Sequence, residues 1–167
     1  MHTALLDILI SRPSETSPTP QLHADASQLQ LAQESQVDHQ FMGMLDSYRI
    51  SGGVARAQEV FTMYKSQPLA DVAILARWIV QRNIISFDWQ STVWIPLFQF
   101  DRLTMTPRAG LQAVLAVLNP VLGPWEIAMW FTQPNPWLSG RTPANTLGTD
   151  AAAAVGGASA DCFIAAG

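Results

Sequence analysis

The sequence predicts a small, mainly α-helical domain that contains one β-hairpin and follows a flexible N-terminal tail, residues 1–37. From about residue 38 to residue 82, and again after residue 105, apolar residues recur every three or four positions, the spacing of an amphipathic helix. Between these regions, residues 84–98 are rich in β-branched and aromatic side chains, which favour strands. Residues 11–36 are polar and rich in Ser, Pro and Gln, so we expect little fixed structure before Val37.

Charge and composition narrow the classes of function. Hydrophobic residues make up 49% and charged residues only 13% of the chain, which allows a sizeable core and leaves few charges for the surface. A surface with few charges often has a part that a partner covers. The net charge of −4 comes from the acidic first 40 residues, so the rest is neutral and lacks the overall basic excess typical of nucleic-acid binding.

The cysteine content and the apolar runs bear on location. Cys162 has no second cysteine to pair with, which excludes an internal disulfide and fits a reducing compartment. No apolar run approaches the roughly 18 residues of a membrane-spanning helix, and the N-terminus lacks the basic region and cleavage site of a signal peptide. We therefore expect a cytoplasmic protein with no membrane contact.

Three helices and a hairpin are predicted in residues 38–104. The first helix carries an apolar face and ends at Ser51-Gly52-Gly53, and the second and third run over residues 54–65 and 69–82. The hairpin strands are residues 84–89 and 93–98. Pro96 cannot donate to a ladder, so its strand is expected at the sheet edge or with that position facing outward. This order of helices and hairpin is winged-helix-like. The first helix is placed by four apolar residues: Phe41, Met42, Leu45 and Tyr48.

Residues 105–167 are predicted to form several short helices, which proline and glycine residues separate. Thr106-Pro107 is expected to cap a helix, Gly123-Pro124 to start a tryptophan-rich helix, and Thr142-Pro143 to start a single turn. A last short helix at residues 150–155 is expected to end at Gly156-Gly157. The first of these helices is predicted by apolar residues at helical spacing: Leu111, Val114, Leu115 and Leu118.

The residues that usually carry catalysis or metal binding are sparse. All three histidines lie in the first 39 residues without metal-ligand spacing, and Cys162 has no evident activator. We therefore expect no metal site, no cofactor and no enzymatic activity. One catalytic alternative stays open, a pair of carboxylates that meet in space, although turn and surface acids are the ordinary interpretation. Its members would come from Asp88, Asp101 and Glu126.

A local basic excess keeps DNA binding open. Residues 47–83 contain five basic residues and two acidic ones, and such an excess can meet phosphates. The candidate DNA-binding residues are Arg56, Arg77 and Arg82. Against this interpretation, the turn between the second and third helices contains Pro68 and lacks the usual glycine. The alternative is that these helices support the hairpin.

A tryptophan-rich segment, residues 125–147, carries a resemblance to a known family. Its residues occur in the same order as those of the C-terminal toxin-binding domain of the Xre/MbcA/ParS antitoxin family, and residues 87–89 and 94–100 resemble the hairpin of longer members. The resemblance covers about half of the chain. It rests on eight positions: Trp130, Pro134, Asn135, Leu138, Gly140, Thr142, Pro143 and Leu147.

The resemblance implies an antitoxin-like function. Its partner would be a RES-domain toxin, which consumes NAD and is neutralised when the C-terminal region of the antitoxin covers its active site. This chain departs from the family because it lacks a convincing Xre-type N-terminal domain and its last helix contains two glycines. A winged-helix transcriptional regulator is the alternative function, and a homodimer stays possible. The expected toxin-binding residues are Trp137, Leu138, Arg141, Phe163 and Ile164.

Overall fold

The computed structural model describes residues 20–66 and 71–166, and it confirms a mainly helical fold with a β-hairpin. The chain divides into two compact units between Asp38 and His39. Short 3-10 turns cover residues 49–51, 97–99 and 136–138. The helices and strands are α1 Pro20–Tyr48, β1 Val54–Arg56, α2 Ala57–Lys65, α3 Val72–Val80, β2 Phe87–Trp89, β3 Thr92–Pro96, α4 Leu111–Leu118, α5 Pro124–Thr132, α6 Pro143–Leu147 and α7 Ala151–Ala166.

Helix α1 begins earlier than predicted. Residues 20–36 were expected to have little fixed structure, yet they are helical. After Pro20, which suits the first helical position, this stretch is rich in Gln, Ala and Leu and contains no glycine or further proline, so its helix propensity is high. Residues 28–38 are all exposed, so local propensity rather than burial accounts for this part. Residues 1–19 of the predicted tail lie outside the described residues.

Three strands form one antiparallel sheet in the order β1-β3-β2. Residues 54–56 were predicted as the start of a helix, but they form β1 and pair with Pro96, Ile95 and Trp94 of β3. The element order α1-β1-α2-α3-β2-β3 is that of a winged helix, with β2 and β3 as the wing. Gln90 and Ser91 have positive φ values of 46° and 57°, which makes the hairpin loop a two-residue turn of the type that matches strand twist.

Of the two alternatives predicted for Pro96, the edge strand is wrong, because β3 is the central strand. Pro96 pairs with Val54 of β1 but lies beyond the last β2 pair, which joins Phe87 and Trp94. The register of β2 and β3 would place Ile85 opposite Pro96, where the missing proline N–H prevents normal pairing. The buried amide of Gln99 fills this gap. Its Oε1 accepts from the Ile85 N–H (2.6 Å), and its Nε2 donates to the carbonyl oxygens of Ile85 and Pro96 (2.8 Å each).

Aromatic side chains form much of the core beside the sheet. The Phe41 ring stacks on Trp89 with 3.7 Å between centroids and meets Trp94 edge-on. Between His39 and the end of α1, the buried residues are Phe41, Met44 and Tyr48. Met42, which was predicted on the inner face, is exposed. The buried face of α1 is therefore rotated slightly from the prediction, since the residues that are buried lie at positions 41, 44 and 48, which have helical spacing.

Helix α4 starts later than predicted. Thr106-Pro107 does not cap it, because Pro107 forms an isolated bridge with Phe100. The helix begins at Leu111 after Gly110, whose φ is +84°. A Cβ atom on Gly110 would lie 2.4 Å from the Ala151 Cβ, so α4 and the first turn of α7 approach too closely for any side chain there. All four apolar positions that predicted this helix are buried: Leu111, Val114, Leu115 and Leu118.

Helix α7 runs for 16 residues through Gly156-Gly157, where the sequence predicted a break. Glycine costs about 1 kcal/mol relative to alanine inside a helix, so tertiary packing must offset this. Ala154 and Ala158 are fully buried, and the Leu138 side chain lies over Gly157, 3.3 Å from where a Cβ would be. Small residues on α7 thus allow close contact, and the helix that the glycines weaken is held by its neighbours.

Candidate partner-binding surface

The tryptophan-rich helix α5, which precedes the loop that carries Trp137, is anchored in the core. Ile127, Ala128 and Phe131 are buried, and the Tyr48 hydroxyl donates to the Ala128 carbonyl at 2.6 Å. Burial raises the pKa of Tyr48 well above its usual value, so this hydroxyl stays protonated and keeps donating. The tryptophans predicted as core residues all pack partly buried against the core: Trp78, Trp94, Trp125 and Trp130.

A closed loop follows α5 and presents Trp137. The Asn135 side chain accepts from the Trp137 N–H at 2.9 Å, and its backbone carbonyl accepts from the N–H groups of Leu138 and Gly140 at 3.0 Å each. The Asn135 N–H donates to the Arg141 carbonyl at 3.0 Å, which closes the loop. This network fixes the backbone at Trp137, whose side chain is 58% exposed.

Asp161 of α7 ties the loop and α5 together. One carboxylate oxygen, Oδ2, accepts from the Trp130 indole N–H at 2.8 Å and from the Asn135 amide at 2.6 Å. The sequence interpretation did not single out Asp161. A signal was present, because Asp161 is the only charged residue among residues 151–166, and a lone charge in an alanine-rich helix usually has a specific partner.

Four of the five expected toxin-binding residues lie on the surface. Phe163 is 82% and Ile164 65% exposed at the end of α7. Arg141 is exposed beside the loop, where its Nε donates to the Leu138 carbonyl at 3.3 Å. Leu138 is the exception, because it is only 2% exposed and packs on Gly157. Its side chain supports the loop from below and cannot contact a partner in this arrangement.

Helical spacing relates the exposed residues to one another. Gly157, Asp161 and Ile164 fall at i, i+4 and i+7, so they share the face of α7 that meets the loop. Ile164 therefore continues the face on which Asp161 holds Asn135, next to the segment that carries Trp137. Phe163 lies on the outer face. We call Trp137, Arg141, Phe163 and Ile164 the C-terminal surface.

Cys162 points away from this surface. Its Sγ donates to the Val117 carbonyl of α4 at 3.7 Å. Burial, and to a lesser extent the neighbouring Asp161 carboxylate, raises the pKa of the Cys162 thiol. A raised pKa leaves less of the thiol in the reactive thiolate form.

The three candidate DNA-binding arginines differ in exposure and in hydrogen bonding. Arg77 is exposed on α3, and the Arg56 guanidinium lies 5.4 Å from the Trp94 ring centroid. Arg82 donates to the carbonyls of Asn119 (3.4 Å) and Leu122 (3.0 Å) just after α4. The Arg82 guanidinium thus caps a helix, and its part in DNA binding stays a prediction.

No protein-family model, curated protein or solved structure matches this chain. Within residues 20–66 and 71–166, no three His, Cys, Asp or Glu side chains are grouped so that they could hold a metal ion. Across the same residues, every helix is too short or too polar to cross a membrane.

Proposed function

We propose that this chain is an antitoxin-like protein that binds and neutralises a RES-domain toxin through the C-terminal surface. The observation that carries the proposal is the exposure of three large apolar side chains: Trp137 on the loop that Asp161 of α7 holds, and Phe163 and Ile164 at the end of α7. Exposed apolar groups gathered in one region mark interaction sites. The resemblance of residues 125–147 to the toxin-binding domain of the Xre/MbcA/ParS antitoxins supports the identity of the partner.

The loop around Trp137 suits an interface anchor. Its backbone is already fixed by Asn135, and Asn135 is fixed by Asp161. Binding would therefore order little new structure, which lowers the entropic cost of association. Tryptophan and arginine are the residues most often found at energetic centres of interfaces, and the neighbouring Arg141 can pair with an acidic group of the toxin. Covering the NAD-binding cleft of the toxin would then block NAD consumption.

Calorimetry and an NAD-consumption assay with a purified RES-domain toxin test the proposal. Trp137→Ala is expected to weaken binding by about 2 kcal/mol or more, roughly thirtyfold, and to restore NAD consumption at equal concentration. Val80→Ala is the matched control, because Val80 is 82% exposed on α3. Equal affinity of the wild type, Trp137→Ala and Ile164→Ala would place the interface elsewhere, and absence of any complex would overturn the proposal.

DNA binding is the second candidate, since the element order and the β1-β3-β2 sheet are those of a winged helix. Helix α3 is the element that would enter the major groove. Its exposed residues include Ala73, Ala76 and Val80 besides Arg77, which offers phosphate contact and little base reading. Arg77→Ala should weaken duplex binding and reduce its salt slope by about one unit. A wild-type chain that binds no duplex at low salt would remove this candidate.

A further inference from the structure

A cleft of about 470 Å³ opens between the segment after β3 and the turn from α6 to α7. One side of the cleft is formed by residues between 51 and 108, and the other by residues between 144 and 149. Its walls include the apolar side chains of Met63 and Met105, and its polar lining includes Arg102 and Arg108. This size falls within the range of about 300–1,000 Å³ for small-molecule sites, which often lie where two parts of a protein meet. The C-terminal surface proposed above does not include these residues.

Neither arginine of the cleft forms an ion pair. Among the described residues, neither guanidinium lies within 4 Å of a carboxylate, and the one ion pair of that kind joins Arg49 and Asp46. Arg108 is half-buried and uses its Nε to donate to the Phe98 carbonyl at 2.7 Å. This bond fixes the guanidinium plane, and both terminal nitrogens remain for an incoming acceptor. A planar, pre-oriented guanidinium suits carboxylate and phosphate groups.

The one carboxylate in the cleft is engaged by its own loop. Asp101 Oδ1 accepts from the N–H groups of Leu103 (2.9 Å) and Thr104 (3.0 Å) and from the Thr104 hydroxyl (3.2 Å). These bonds, the Thr104 N–H foremost, and to a lesser extent the charge of Arg108 lower the pKa of Asp101. Its charge therefore stabilises the turn, and the cleft keeps a net positive charge from Arg102 and Arg108.

The loop also forces Met105 into the wall of the cleft. Met105 has a positive φ of 54°, an uncommon conformation for a residue with a side chain. Its N–H donates to the Asp101 carbonyl at 2.9 Å, which holds the turn. Methionine adapts its shape to irregular apolar groups, and Met63 faces the same cleft. The cleft thus combines two apolar walls with two unpaired cations.

We propose that this cleft binds a small organic anion, a carboxylate or phosphate carried on an apolar group. Arg102 and Arg108 bind the anionic head, and Met63 and Met105 pack against the apolar body. Thr149 and Asn145 at the α6–α7 turn also line the cleft, where their polar groups can bond the ligand's remaining oxygens. A ligand needs both an anionic and an apolar group to bind well, because the arginines contact only the anion and the methionines contact only the apolar group.

Calorimetry on the full chain with four probes tests this site. Phenyl phosphate and benzoate carry both features, inorganic phosphate carries only the charge, and benzyl alcohol carries only the apolar ring. We expect phenyl phosphate, benzoate or both to bind with a dissociation constant of about 1 mM or tighter, a modest affinity for a small ligand in an open cleft. The phosphate and the alcohol should each bind at least tenfold more weakly. The stronger of the two organic anions identifies the head group.

Arg102→Gln is the decisive variant, because Arg102 is exposed and its substitution should leave the fold intact. It should weaken binding of the preferred anion about tenfold or more, the usual effect of losing one charge-assisted hydrogen bond. Arg108→Gln should do the same, and thermal unfolding without ligand shows whether that variant still folds. Arg77→Gln, which removes an equal charge on α3, is the control. The proposal fails if neither organic anion binds, if Arg102→Gln binds as well as wild type, or if Arg77→Gln loses as much affinity.

Discussion

Replacing Gln99 by leucine tests whether its amide substitutes for a missing strand pair. Gln99 is fully buried, and its three hydrogen bonds reach Ile85 and Pro96. Leucine has a similar volume and no polar atoms, so the apolar packing would change little. The variant would leave the Ile85 N–H and two carbonyl oxygens without the partner that they have now. The perturbation is therefore almost purely a loss of hydrogen bonds.

The expected loss follows from the cost of unpaired buried groups. A buried donor or acceptor that loses its partner costs about 1–3 kcal/mol. The Ile85 N–H loses the Gln99 Oε1 acceptor, and the carbonyls of Ile85 and Pro96 each lose the Gln99 Nε2 donor at 2.8 Å. We expect Gln99→Leu to lower the free energy of unfolding by about 3–5 kcal/mol, a large part of the roughly 5–15 kcal/mol of a typical domain.

Chemical denaturation followed by tryptophan fluorescence measures this loss. Gln112→Leu is the matched control, because Gln112 is exposed on α4, and such surface changes stay within about 0.5 kcal/mol. If Gln99→Leu destabilised the chain by less than about 1 kcal/mol, the amide would not be completing the sheet. Loss of the sheet signal in circular dichroism, with helices retained, would locate the damage at the hairpin.

Gln99→Glu adds a pH readout at the same position. A carboxylate there would face the carbonyl oxygens of Ile85 and Pro96, which disfavour its charge, as does burial. Both effects raise the pKa of the introduced group in the folded state above its unfolded value of about 4.3. Stability relative to wild type should therefore be highest below pH about 4 and fall as pH rises through the folded pKa. A pH-independent difference would contradict this reasoning.

Two further substitutions test the packing of α7. Gly110→Ala should cost about 2–4 kcal/mol, because it adds a left-handed backbone penalty to a Cβ contact of 2.4 Å with Ala151; denaturant unfolding with a loss below about 1 kcal/mol would show that α4 and α7 separate easily. Asp161→Ala should cost about 2–4 kcal/mol, since it leaves the N–H groups of Trp130 and Asn135 without their acceptor. The same variant should loosen the Trp137 loop, which fluorescence quenching measures, and unchanged quenching would contradict that link.

The elements that the sequence predicted well are those that local signals determine. The Thr142 side chain accepts from the Asn145 N–H and Pro143 occupies the first turn, as the cap signal of α6 indicates. Pro124 starts α5 in the same way. The periodic apolar residues of α4 are all buried. In each case the residues that determine the element lie within one or two helical turns of one another.

Apart from residues 20–36 of α1, where local helix propensity was underestimated, the main mispredicted elements depend on contacts outside their own segment. Residues 54–56 form a strand because β3 lies beside them. Pro96 occupies a central strand because Gln99 Nε2 donates to the Ile85 carbonyl, a bond that proline cannot make. Helix α7 continues through Gly157 because Leu138 occupies the space above it. Propensity and capping rules describe neighbours in sequence, so they cannot anticipate such contacts.

Side-chain direction explains the mixed outcome at the candidate site. Trp137 and Leu138 are consecutive residues in one 3-10 turn, yet Trp137 is 58% exposed and Leu138 only 2%. The sequence indicated an apolar pair between two turns, and nothing local distinguishes which member points inward. Gly157 favours the inward position of Leu138, because a Cβ there would lie 3.3 Å from the Leu138 side chain, closer than ordinary contact. Whether a residue in such a loop can contact a partner therefore depends on which residue packs behind it.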